Sequence, residues 1–187
     1  MPGKDRLLLA GHPHHLVRKS RDQKPVFLDE ADYTHCLGQI RALSQQYELA
    51  IHAFCLLPDG LHILATPLGD PGNLSRFMKA LSCSASSRRK RLHGATSVWE
   101  VRYRSSPVEP GQWMLACICY IERLEDPEEY TRLGGSIEDR AEAYRMYMSN
   151  GLDPHEEKMI DTAVKRCRLT GSRHFVREVY RKYGVLG

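Results

Sequence analysis

The stretch Leu49–Leu57, followed by Pro58-Asp59-Gly60 and then Leu61-His62-Ile63-Leu64-Ala65-Thr66, constrains the fold more than any other part of the chain. The first run is too short and too uniformly apolar for a surface helix, so it reads as a buried strand. Pro-Asp-Gly is a turn signature, and the apolar run after it returns as the second strand of a hairpin. Upstream, residues 14–17 read as a short strand containing Leu16 and Val17. Residues 29–47 place Tyr33, Leu37, Ile40 and Leu43 three or four apart, the spacing of one helix face, with Asp29 as cap and Asp32 in the first turn. Downstream, Gly69-Asp70-Pro71-Gly72 breaks the chain, and Asn73 caps a helix through Leu74, Phe77, Met78 and Leu81 that runs on to Arg91. Residues 98–103 read as a strand and 112–122 as a helix. The order strand–helix–strand–strand–helix–strand is a split βαβ, so the expected fold class is α+β, a ferredoxin-like antiparallel sheet with helices covering it.

The remainder reads as C-terminal helices over 136–148, 154–167 and 172–183, with Gly171 between the last two. The expected organisation is a sheet domain over residues 1–124 and a helical region over 125–187. Composition is that of a globular chain, 42% hydrophobic and 27% charged in 187 residues, with no apolar run of membrane-spanning length. With no signal-peptide pattern at the N-terminus, the expected location is the cytoplasm. The six cysteines lack any C-x-x-C pair, which excludes a zinc ribbon and leaves them as small buried hydrophobes. Net charge is +4 but unevenly placed: residues 73–106 carry eight basic side chains and one acidic one, residues 107–150 four and nine. A central basic segment of this kind suits a phosphate backbone.

Several segments together resemble a known family. Phe54-Cys55-Leu56-Leu57-Pro58-Asp59-Gly60-Leu61-His62-Ile63-Leu64 is similar to the strand-turn-strand of HUH tyrosine transposases, which usually reads Tyr-x-x-Met-Pro-Asn-His-x-His-x-Leu. His14-His15, Phe27-x-Asp29-x-x-Asp32-Tyr33, Leu74-Ser75-Arg76-Phe77-Met78, Trp99-Glu100-x-Arg102-Tyr103 and Tyr120-Ile121-Glu122 match at compatible spacing. Arg140 to Tyr144, Gly151-Leu152-Asp153 and Gly171-Ser172-Arg173-His174-Phe175 resemble the tail of the REP-associated branch. The resemblance spans nearly the whole chain.

It implies a transesterification on single-stranded DNA. Two histidines flanking one hydrophobic residue share a strand face and hold a divalent metal, and a tyrosine attacks the phosphorus. This chain departs from that pattern. The first histidine position holds Gly60 and only His62 remains. Counting from Leu74-Ser75-Arg76-Phe77-Met78 puts the family's tyrosine at Ala85. The Asn-Pro-x-Arg run expected after Tyr-Ile-Glu is absent. No resident cofactor is therefore expected; if the ancestral site survives, Mg²⁺ or Mn²⁺ would sit at His62 with His15.

The expected function is DNA binding without cleavage, with single-stranded or hairpin DNA as the inherited ligand and a homodimer left open. The residues expected to bind nucleic acid are Arg76, Lys79, Arg88, Arg89, Lys90, Arg91, Arg102 and Arg104, together with Arg166, Arg168 and Arg173 in the tail. Trp99, Tyr103 and Phe77 are read first as core residues and second as base-stacking platforms. Two alternatives remain: an active transposase or endonuclease with substitute ligands and nucleophile, and a protein-interaction module built on the acidic 122–142 segment.

Overall fold

The computed structural model describes residues 6–94, 99–124 and 152–183. Its elements are β1 (His14–Lys19), α1 (Glu30–Gln46), β2 (Leu49–Leu57), β3 (Gly60–Pro67), α2 (Asn73–His93), β4 (Arg104–Pro107), α3 (Gln112–Glu122), α4 (Pro154–Lys165) and α5 (Arg173–Tyr183). The four strands form one antiparallel sheet in the order β2-β3-β1-β4. That is the order of a ferredoxin-like split βαβ, as the sequence pattern predicts. The expected helix over 136–148 lies outside the described residues. Among the described residues no helix is long and apolar enough to cross a membrane.

Strand alternation sorts the side chains into two layers. Leu16, Leu61, Ile63 and Ala65 point to one face, where Ile40 and Leu43 of α1 and Leu74, Phe77, Met78 and Leu81 of α2 close over them. Ala53, Cys55 and Leu64 point to the other, against Ala116, Cys117 and Ile121 of α3 and Ile160 of α4. A register irregularity between Ile51 and Ala53 adjusts β2 so that its apolar residues serve both layers. A third small cluster ties the ends of the described chain together, with Leu9 under Phe175 and Val179 of α5.

The fourth strand departs from expectation. The sequence places it at 98–103; the ladder with β1 instead runs through Arg104–Pro107. Trp99 makes only an isolated bridge to Ser20, and Val101 is 86% exposed. Residues 101–103 leave the ladder so that the Tyr103 ring can enter the α1/α2 core and place its hydroxyl 2.7 Å from Ser75 Oγ. Arg-Ser-Ser-Pro has little intrinsic strand preference, and pairing with β1 overrides it. Four cysteines are buried as expected, while Cys83 and Cys167 are exposed, because they fall on the outward side of α2 and just beyond the end of α4.

Candidate functional site

His62 lies on β3 and His15 on β1, diagonal neighbours across the antiparallel ladder in which His62 pairs with Val17 and His15 with Leu64. Both therefore point to the α3/α4 layer. His15 Nε2 and His62 Nδ1 are 3.1 Å apart in a buried hydrogen bond. Tyr120 of α3 closes the group, its ring edge-on to His15 at 5.7 Å between centroids and 6.4 Å from His62. The Tyr120 hydroxyl donates to Asp161 Oδ1 of α4 at 3.5 Å. The exposures are 0% for His15, 5% for His62 and 9% for Tyr120.

Burial governs the electrostatics of this cluster. It lowers the His62 pKa to about 4, with Lys19 adding to the effect, and holds His15 well below its ordinary value, His62 contributing. It also raises the Tyr120 phenol to about 12, with the Asp161 carboxylate reinforcing the shift. Both imidazoles are therefore neutral at physiological pH and the phenol is fully protonated. A tyrosine nucleophile needs access to a phosphorus atom and a lowered pKa or an adjacent base; Asp161 is an acceptor beside Tyr120, but the raised phenol pKa and the 9% exposure run against the other requirements.

The position two residues before His62 is closed by backbone. A Cβ at Gly60 would lie 2.6 Å from the Arg18 carbonyl oxygen and 3.3 Å from Lys19 Cα. Glycine there lets β1 and β3 approach, and a histidine would force them apart.

Ala85, where the count along α2 places the family's tyrosine, is not on the His62 face. Ala85 packs into the α1/α2 core, on the far side of the sheet from His62. The tyrosine on the His62 face is Tyr120, which the sequence shows in Tyr120-Ile121-Glu122 and which a count along α2 passes over. Gly60 is on the strand that carries His62, with strand backbone against it, and Ala85 is away from this site.

The residues present do not fit a catalytic divalent metal. His15 and His62 offer two nitrogens, and the His15 Nδ1 is buried without a hydrogen-bond partner. No third histidine, cysteine or carboxylate among the described residues completes a set with them; the one such set is Asp29, Asp32 and His93, at the opposite layer. A hard cation such as Mg²⁺ needs several oxygens. At the Asp29 group the positive charge is already provided: Arg88 Nε donates to Asp32 Oδ1 at 2.7 Å.

The basic residues divide into engaged and exposed sets. Arg88 is held by Asp32, and Arg89 donates to the Pro25 and Val26 carbonyls at 2.7 and 3.2 Å. These two therefore tie α2 to the start of α1, and Lys90 and Arg91 remain exposed beside them. Arg76 is exposed and bound to Asp70 at 2.7 Å, and Lys79 is exposed one helical turn on. Arg102 is exposed, and the half-buried Arg104 meets Glu100 at 3.4 Å.

The tail residues are fixed to the edge strand. Val108 pairs in parallel with Thr170, Ser106 donates to the Arg168 carbonyl, and Ser172 donates to Glu109 from both its amide and its hydroxyl. Exposed Arg166, Arg168 and Arg173 thus stand at the β4 edge. Along α5, Arg173, Arg177 and Arg181 follow at intervals of four, all exposed. Trp99, Tyr103 and Phe77 are 4%, 7% and 0% exposed, so they are core residues and present no face to a base.

No protein-family profile matches the chain, and no curated protein matches it in sequence. Solved structures do match. A REP-associated tyrosine transposase bound to a REP hairpin aligns with a TM-score of 0.57 at 16% identity, covering 83% of this chain and 90% of that one. A transposase candidate from Deinococcus radiodurans R1 aligns with a TM-score of 0.43 at 22% identity, over 64% of this chain and 95% of that one. The first match shows that this chain has a REP-associated tyrosine transposase-like fold.

Proposed function

We propose that this chain is a transposase-derived DNA-binding protein that holds single-stranded or hairpin DNA and does not cut it. The observation that carries this reading is the closure of the histidine face: two neutral imidazoles bonded to each other, a phenol held protonated under α4, and strand backbone where the first histidine would stand. Outside that closed face, Lys79, Lys90, Arg91, Arg102, Arg166, Arg168, Arg173 and Arg177 are exposed. Cationic side chains at such positions neutralise phosphates and release counterions, which gives affinity without chemistry. The hairpin bound by the structural neighbour makes hairpin DNA the first ligand to test.

Binding to a labelled hairpin is expected to weaken with salt by about 0.9 in the log–log slope for each phosphate held. Replacing Arg166, Arg168 and Arg173 together with glutamine should lower that slope by about two to three, read by fluorescence anisotropy. A salt-independent or absent interaction removes the proposal.

One observation favours a second reading, an active endonuclease: His15 stands beside His62 and Tyr120 on the same face. It requires α4 to withdraw from Tyr120 before a phosphate can enter.

A further inference from the structure

A second group of charges surrounds Trp99 and Tyr103, on the opposite side of the sheet from His62. Arg6 lies with its guanidinium carbon 3.9 Å from the Tyr103 ring centroid, while its Nε and Nη2 donate to the Tyr103 carbonyl at 3.2 and 3.0 Å. Arg18 points to the α1/α2 layer with its guanidinium carbon 5.8 Å from the Trp99 ring centroid. Its Nε is buried and has no hydrogen-bond partner among the described residues. The two rings are core residues, so they act as platforms that orient the guanidiniums.

A guanidinium keeps its charge at physiological pH, so Arg6 against Tyr103 and Arg18 against Trp99 are two permanent positive charges in the same region of the fold. Burial, and after it the Arg6 charge, lower the Arg18 pKa, with Glu100 opposing them. Glu100 is itself engaged with Arg104 at 3.4 Å. Arg21 adds a third guanidinium, 3.5 Å from the Trp99 carbonyl. Like charges near each other with an unmet buried donor suit an anion that accepts from Arg18 and from the Arg6 Nη1, which does not donate to the Tyr103 carbonyl, and a phosphate oxyanion has the geometry to do so.

We propose that Arg6 and Arg18 together grip one phosphate group where the end of β1 meets the segment around Trp99 and Tyr103. This rests on the DNA-binding reading and gives it a specific contact; the shared chemistry is a phosphate, from a DNA backbone or free in solution. Nothing in the histidine face is involved.

The test uses the full chain and its Arg6→Gln, Arg18→Gln, double and Arg18→Lys variants. Each is titrated with a labelled hairpin bearing a single-stranded tail at several salt concentrations, and each is melted with and without inorganic phosphate. Either single glutamine variant is expected to weaken DNA binding about tenfold and to lower the salt slope by about one. The double variant should weaken it little further, because both side chains hold the same group. Arg18→Lys should recover part of the loss, since it keeps the charge and loses the fork. Melting without phosphate shows which variants are folded; if Arg18→Gln is not, Arg6→Gln and Arg18→Lys carry the comparison. Phosphate that stabilises the wild type but not the variants, with DNA affinity unchanged in them, assigns the site to free phosphate. Wild-type DNA affinity and slope in every variant, with no protection by phosphate, overturns the site and leaves the DNA-binding reading standing. A wild type that binds no DNA overturns that reading, and the phosphate melts then decide the site by themselves.

Discussion

Replacing Arg88 with alanine is expected to lower the unfolding free energy by about 3–5 kcal/mol, because it strands a buried carboxylate. Asp32 is 5% exposed, and its oxygens accept from Arg88 Nε at 2.7 Å and from the Leu28 amide at 3.0 Å. Burial raises its pKa, but the Leu28 amide and the Arg88 guanidinium outweigh that and hold it below its ordinary value. Among the described residues His93 also lies near Asp32, at 3.6 Å and charged only when protonated. Lys90→Ala and Arg91→Ala, on the exposed side of the same run, should stay within about 0.5 kcal/mol. Urea unfolding at neutral pH measures all three. A charge-run reading of the sequence treats Arg88, Arg89, Lys90 and Arg91 alike; here Arg88 should alter stability and leave the salt slope of DNA binding unchanged.

Acid is expected to unfold the protein cooperatively near pH 5. His14 and His62 have their pKa values lowered by burial to about 4, and His15 lies well below its ordinary value. For His14 the geometry enforces neutrality as well: its Nε2 accepts from the Leu9 amide at 3.0 Å while its Nδ1 donates to the His12 carbonyl at 2.8 Å. In the unfolded chain each titrates near 6.5. Below that pH the unfolded state takes up protons that the folded state refuses, so stability is highest above about 6.5 and falls as pH drops toward about 4. Each histidine contributes about 1.4 kcal/mol per pH unit in that window, and three together would consume a typical domain's stability within about two units. Circular dichroism between pH 8 and 4 at constant ionic strength should show the transition, and His62→Gln should flatten the dependence by one proton. Undiminished stability at pH 4.5 would show that these imidazoles are not held neutral.

The hairpin and the helices were legible because their signals are local. The apolar runs on either side of Pro58-Asp59-Gly60 became β2 and β3, Asp29 capped α1 as expected by accepting from the Asp32 amide, and residues 112–122 formed α3. The split βαβ order followed from those elements and was met by the β2-β3-β1-β4 sheet. The site was only half legible. Period-two alternation gives the face of His62, but which helix covers that face depends on tertiary packing, so a count along α2 landed on Ala85 while Tyr120 supplied the ring. Pairing across the sheet likewise brought His15 to His62 over 47 positions of sequence. The fate of each arginine was hidden for the same reason: Asp32 and Arg88 are 56 residues apart, and nothing in Arg88-Arg89-Lys90-Arg91 distinguishes the two that bind their own fold from the two that face solvent.

Incubating the full chain with Mn²⁺ and an end-labelled hairpin DNA, then denaturing before electrophoresis, tests the central claim most directly. A shifted complex on the native gel, with intact free DNA and no labelled protein after denaturation, is the predicted result. A DNA fragment that stays attached to the protein through denaturation, and disappears in Tyr120→Phe, would contradict it.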